Sequence, residues 1–166
     1  MTSARQEQKL YCAGLAAAAC LALGLAAGLA VSQAIATERI VVDWHTGLAI
    51  GGYDPVAYFT DAKPAAGSSQ LELRYGGAVW RFRNVGNREA FAADPDVYMP
   101  KFGGYDPLGV ARGIAVAGNP IVWFIAGERL FLFYDSARRE KFAVDPDRVS
   151  ATAERKWPEV LRTLSP

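Results

Sequence analysis

From Gln70 to Arg83 apolar and polar residues alternate. Leu71, Leu73 and Tyr75 interleave with Gln70, Glu72 and Arg74; after Gly76-Gly77, Trp80 and Phe82 interleave with Arg81 and Arg83. A period of two marks a half-buried strand, and a Gly-Gly pair suits a two-residue primed turn. That turn predicts Leu73 opposite Trp80, Leu71 opposite Phe82 and Glu72 opposite Arg81, so apolar meets apolar and opposite charges meet. A second hairpin, residues 121–125 and 129–134, is apolar on both faces and belongs in the centre of a sheet or beneath another element. Helical segments follow each hairpin: Val85–Ala93 behind Asn84 as N-cap, and a segment to about Val144 behind Asp135. Residues 147–164 read as helix with a break at Trp157-Pro158. At Asp54-Pro55 and Asp106-Pro107 a capping acid precedes proline at the first helical position, which predicts a short helix over residues 55–60 and another after Asp106. Residues 61–69 are loop by composition.

The pattern is written twice. Gly51-Gly52-Tyr53-Asp54-Pro55 returns as Gly103-Gly104-Tyr105-Asp106-Pro107. The strand pair ending in Phe82, then Asn84, then Arg88 to Asp96, returns as the pair ending in Phe133, then Asp135, then Arg139 to Asp147. The offset is 52 for the first motif and 51 for the rest, so one residue is gapped. Each copy runs turn motif, strand pair, helix and Asp-Pro-Asp stop. Two copies are too few for a solenoid, which implies one domain built from two related halves, about 51–102 and 103–154. The expected class is α+β: a small antiparallel sheet of two hairpins with packed helices, preceded by one N-terminal transmembrane helix.

That helix is read from residues 10–31, which are 22 residues without charge or proline, behind Arg5 and Lys9. As a helix the run would span about 33 Å, enough for a hydrocarbon core of about 30 Å. The leading cations predict a cytoplasmic N-terminus and an exported remainder, periplasmic in a bacterium. The run is longer than the roughly 7–15 apolar residues of a cleaved signal, which favours a retained anchor over residues 1–36. Ala34-Ile35-Ala36 also fits small-x-small cleavage, which would release residues 37–166 in soluble form. The membrane is thus the first expected partner.

Composition acts mainly by exclusion. Both cysteines, Cys12 and Cys20, lie in the apolar run, so residues 37–166 have neither disulfide nor thiolate ligand. Taking Arg5 and Lys9 from 18 cations, and Glu7 from 17 acids, leaves 16 of each in the exported part. No basic stripe argues for nucleic acid. No serine sits in Gly-x-Ser-x-Gly, and no nucleophile–base pair is visible, so a small hydrolase is a remote reading and no catalysis is expected.

Ala49-Ile50-Gly51-Gly52-Tyr53-Asp54-Pro55-Val56-Ala57-Tyr58-Phe59 resembles the signature of the YHS-domain family. So do Tyr75-Gly76-Gly77 with Trp80-Arg81-Phe82, Asn87-Arg88 with Phe91, Asp94-Pro95 with Tyr98, and Phe102-Gly103-Gly104-Tyr105; Trp157 sits where exported members often carry a tryptophan. The resemblance covers about residues 47–160. It implies a domain of the kind found in copper-transporting ATPases, some oxygenases and stand-alone membrane-associated proteins. Metal-associated relatives carry a cysteine where this chain has Ala57, and stand-alone relatives commonly carry one where it has Asp106. Copper(I) prefers thiolate and thioether ligands, so no copper and no cofactor are expected.

The candidate ligand-binding residues are Tyr53, Asp54, Tyr58, Tyr98, Phe102, Tyr105 and Asp106. The aromatic members cluster near glycines, as the walls of a pocket for a flat or apolar ligand would. The pseudo-symmetry would bring both Tyr-Asp-Pro motifs to one cleft. Against this stands the plain structural role, in which Asp54 and Asp106 cap helices and thereby occupy the N-termini that an anion would need. His45 is the lone histidine, in Asp43-Trp44-His45-Thr46. A hard-metal site would require His45 to converge with carboxylates such as Asp54 and Asp106, and a metal-handling accessory is the alternative reading. The leading expectation is a membrane-anchored, exported binding module for a small molecule or a protein partner.

The expected topology has a direct check. An alkaline-phosphatase reporter fused after Pro166 should be active, and a cytoplasmic reporter at the same point silent; the opposite pair of results would reject the anchor reading.

Overall fold

Two antiparallel hairpins carry the fold: β1 (Ser68–Tyr75) with β2 (Ala78–Phe82), and β3 (Asn119–Ala126) with β4 (Arg129–Phe133). The computed structural model describes residues 40–164, so the expected membrane helix lies outside the described residues. Among those described, no helix is long and apolar enough to cross a membrane. Six helices surround the hairpins there: α1 (Ala57–Thr60), α2 (Val85–Ala93), α3 (Pro95–Tyr98), α4 (Pro107–Val110), α5 (Ser136–Val144) and α6 (Pro146–Thr163). The class is α+β, as expected. The single sheet of the sequence reading is corrected to two separate two-stranded sheets. The two hairpins meet through side chains instead of a shared ladder: Leu130 and Leu132 of β4 pack in one core with Trp80 and Phe82 of β2.

The two halves repeat element by element. Asn84 accepts the Asn87 amide at 2.8 Å and starts α2; Asp135 accepts the Arg138 amide at 2.9 Å and starts α5. Phe91 then packs on Trp80 and Phe82 with ring centroids 5.0 and 5.3 Å away. Phe142 packs on Phe131 and Phe133 at 4.8 and 5.1 Å. The gapped residue falls in the loop after α1. The Asp54 amide bonds the Ala65 carbonyl and the Asp106 amide bonds the Val116 carbonyl, both at 2.8 Å, so the first loop holds one residue more.

Register follows the turns near the tip and departs at the base. Leu73 faces Trp80 and Glu72 faces Arg81, with an Arg81–Glu72 ion pair of 2.9 Å. Phe82, however, faces Ser68 instead of Leu71, and the ladder is irregular between Ser68 and Glu72. The second hairpin shifts at the matching place, between Asn119 and Trp123. A close approach explains both. A Cβ on Gly67 would fall 2.4 Å from the Arg81 carbonyl carbon, and one on Gly118 would fall 2.6 Å from the Leu132 Cβ. The chain enters each strand pressed against its partner, and a bulge takes up the extra residues.

Alternation along β4 divides the interior. Leu130 and Leu132 lie in one core with Tyr58, Trp80, Phe82 and Phe91. Phe131 and Phe133 lie in another with Val110, Phe142, Ala153 and Val160. The doubly apolar second hairpin is therefore covered on both faces, whereas the first buries Ala78, Trp80 and Phe82 and leaves Glu72 and Arg74 in water. Two helix boundaries also need correction. Helix α1 begins at Ala57, two residues later than the Asp-Pro signal suggests. Helix α6 runs unbroken through Pro158, because Val149, Ala153, Trp157 and Val160 all pack into the second core and hold the helix on either side of the proline.

Tyr58 ties the halves together. Its hydroxyl donates to the Pro120 carbonyl at 2.9 Å, and its ring meets Trp123 edge-on at 5.5 Å. Burial, with smaller contributions from Tyr53 and Asp54, pushes the phenol well above the ordinary tyrosine value of 10.0. The folded state then holds this proton more tightly than the unfolded one, so stability is complete below pH 10 and falls as pH rises beyond it. Tyr58→Phe should cost about 1 kcal/mol at neutral pH through the lost bond, yet lessen the alkaline decline. Urea titrations at pH 7 and pH 11 check this; an unchanged alkaline slope would count against it.

Candidate functional site

The Tyr-Asp-Pro motifs are built by a rare backbone turn. Ile50, Gly51 and Gly52 have φ of 44°, 64° and 80°, and Phe102, Gly103 and Gly104 have 57°, 61° and 92°. Three successive left-handed residues explain the paired glycines, since only glycine enters that region without steric cost. Ile50 and Phe102 are held there against their preference, both buried. The turn delivers an aspartate into the interior in each half.

Both aspartates are fully buried. One Asp54 oxygen accepts the Val56 and Ala57 amides at 2.9 and 3.4 Å. The other accepts the Arg83 amide at 2.8 Å and the Asn87 side-chain amide at 2.7 Å. Asp106 repeats the plan. Its Oδ1 accepts the Leu108 and Gly109 amides at 2.8 and 3.3 Å, and its Oδ2 accepts the Tyr134 amide at 2.9 Å. Arg138, the counterpart of Asn87, lies 3.5 Å from Oδ2. Each carboxylate thus caps one helix, pins the end of the adjoining hairpin and holds a side chain of the next helix. With both oxygens engaged and no exposed surface, neither is placed to meet a ligand.

Most of the other expected ligand residues are also committed to packing. Tyr58 lies in the core, Tyr98 meets Phe59 edge-on at 5.5 Å, and Tyr53 and Tyr105 each bridge the following loop through Ala66 and Ala117. Phe102 differs. It lines a cavity of about 350 Å³ with Met99, Pro100, Lys101, Arg129 and Trp157 as walls, and with Asp96 and Glu154 completing it. Of the seven expected ligand residues, Phe102 alone lines this cavity. A shallower hollow of about 210 Å³ between α4 and α6 includes none of them.

The cavity's electrostatics are uneven. Lys101 Nζ pairs with Glu154 at 2.9 Å. Arg129 Nε is buried without a hydrogen-bond partner, the one such side-chain atom among the described residues. Trp157 and Phe102 meet edge-on at 5.6 Å and form the aromatic part of the wall. The repeat shows how the corner arose. Lys101 and Arg129 occupy the positions of Ala49 and Ala78 in the first half, which are 0% and 2% exposed. There small side chains close the corner; here two long cations border an opening. The Ala-to-Arg and Ala-to-Lys differences between the copies are legible in the sequence and were the signal that motif reasoning passed over.

His45 sits elsewhere, on an exposed turn beside Trp44. The Thr46 hydroxyl, and then the Thr46 amide, hold the Asp43 carboxyl below the usual range, which serves the turn. Among the described residues no three His, Cys, Asp or Glu side chains gather as a metal site needs. His45, Asp54 and Asp106 are therefore not brought together.

Comparison with known proteins adds no relative: no family model, no curated protein and no solved structure matches the chain.

The carboxylate hubs carry a stability prediction. Asp54→Ala leaves the Arg83 amide and the Asn87 side chain without their acceptor, and should cost about 3 kcal/mol or more, since bonds to a charged acceptor are worth about 1.5–3 kcal/mol each. Asp106→Ala should cost a similar amount. Urea denaturation measures both, and a loss below about 1 kcal/mol in either would show that its hub is dispensable.

Proposed function

We propose that residues 37–166 form a YHS-like binding module, exported and held at the membrane by residues 1–36, which takes a small molecule into the Phe102–Arg129–Trp157 cavity and performs no chemistry on it. The observation that carries this reading is the union of a cavity with an unsatisfied buried donor. Native interiors pair most of their buried polar groups, so an orphan donor on a residue that lines a concavity calls for an acceptor there, supplied by a ligand in this reading. A volume of about 350 Å³ sits near the lower end for small-molecule sites, and suits a compact ligand. The aromatic wall supplies apolar contact, while Met99 adapts in shape. Nothing in the cavity pairs a nucleophile with a base, so binding without turnover is the fitting role.

The test uses the full chain in detergent micelles with two compact aromatic probes, benzamide and benzoate. Ligand-observed NMR should detect binding of at least one, with a matching rise in melting temperature. Asp96 stands on the exposed rim, so Asp96→Trp should block entry without disturbing the core. Absence of binding by both probes, or equal binding by the blocked variant, would reject the cavity as the site.

A further inference from the structure

Within the cavity the chemistry is specific enough to name a ligand class. Resting on the reading of this cavity as the binding site, we infer that it selects a compact aromatic carboxylate, held by Arg129 against the Phe102–Trp157 wall.

Arg129 opens β4, and its guanidinium is a donor with no accepting capacity, so only an acceptor can satisfy the buried Nε. None of the ion pairs among the described residues includes Arg129. Glu154 lies in the same cavity but is engaged with Lys101, and Asp96 stands on the exposed rim. Arg129 and Asp96 are therefore the lining charges outside any of these ion pairs, Arg129 half-buried and Asp96 exposed to water that screens it. The planar fork of arginine matches the planar carboxylate, which can take two parallel N–H bonds.

A phosphate dianion fits less well. It calls for several converging donors, whereas here the second cation is already paired and two acids border the site. The apolar part of the lining is Trp157, Phe102, Met99 and Pro100. The pseudo-repeat gives independent support. An arginine in place of the buried Ala78 burdens folding with a desolvated donor, and the first half shows that the fold closes this corner with alanine. A carboxylate bound at the cavity-lining side of the guanidinium would offset that burden by pairing its charge.

The experiment compares benzoate with its neutral isostere benzamide and with inorganic phosphate, on the full chain in detergent. Benzoate should bind at least about tenfold more tightly than benzamide, the ratio expected for a charge-assisted pair of bonds, and phosphate should not compete. Arg129→Met should abolish that ratio. It should also leave the unliganded melting temperature unchanged or higher, because an unsatisfied buried donor is removed. Arg129→Lys, which keeps the charge and loses the fork, should retain less than half of the preference on a logarithmic scale. Equal binding of benzoate and benzamide, with no change in Arg129→Met, would overturn the carboxylate inference while leaving the cavity reading standing. Competition by phosphate would overturn it in favour of a general oxyanion site. A marked drop in the melting temperature of Arg129→Met would show that Arg129 is a structural residue and would overturn it too. Loss of all binding to the parent chain would remove the cavity reading itself.

Discussion

From Leu130 to Phe133, strand β4 is buried on both faces. Its residues alternate between two cores, Leu130 and Leu132 on one side and Phe131 and Phe133 on the other, and the rest of the molecule is arranged to cover both. The first hairpin and α2 close one side; α5 and α6 close the other. A strand with polar residues on one face would leave one of these layers without a partner. The constraint also places the cavity. Arg129 is the last polar residue before that apolar run, so its stem enters the interior at the strand's start while α6 passes with Glu154 and Trp157.

The second organising interaction is the buried carboxylate, used twice. Asp54 and Asp106 each join a helix N-terminus, a hairpin end and the following helix through one side chain. A buried unpaired carboxylate would be costly, but four acceptor contacts restore what water supplied. The left-handed Gly-Gly turns aim these side chains inward. The motif that draws the eye in the sequence therefore encodes folding chemistry, and the chemistry suited to a ligand lies where the two copies differ.

Asymmetry between the halves is the source of the candidate site. After Asp-Pro-Asp the first half makes the short α3 and turns away at Met99, whereas the second continues into the 18-residue α6. The cavity forms at this seam, between the end of one short helix and the side of the long one. Lys101 and Arg129 replace alanines there. One is neutralised by Glu154 and the other is not, so a duplicated scaffold acquires a single polarised opening.

The periodicities, the caps at Asn84 and Asp135, the Asp106-Pro107 start and the duplication were all set by local sequence, because each depends on contacts within a few residues or on a repeat visible by eye. The tip register of the first hairpin belongs with them, as Glu72 and Arg81 sit near the turn that aligns them. Tertiary structure decided the remainder. The bulge opposite Phe82 follows from Gly67 pressing on Arg81, a contact across the hairpin. The continuity of α6 through Pro158 follows from core packing that outweighs a local breaker. Whether Asp54 would face a ligand or the interior, and whether Arg129 would find a partner, depended on groups distant in sequence: Arg83 and Asn87 for the one, α6 for the other. Burial and pairing of a polar atom are properties of the neighbours that folding assembles, and no local pattern contains them.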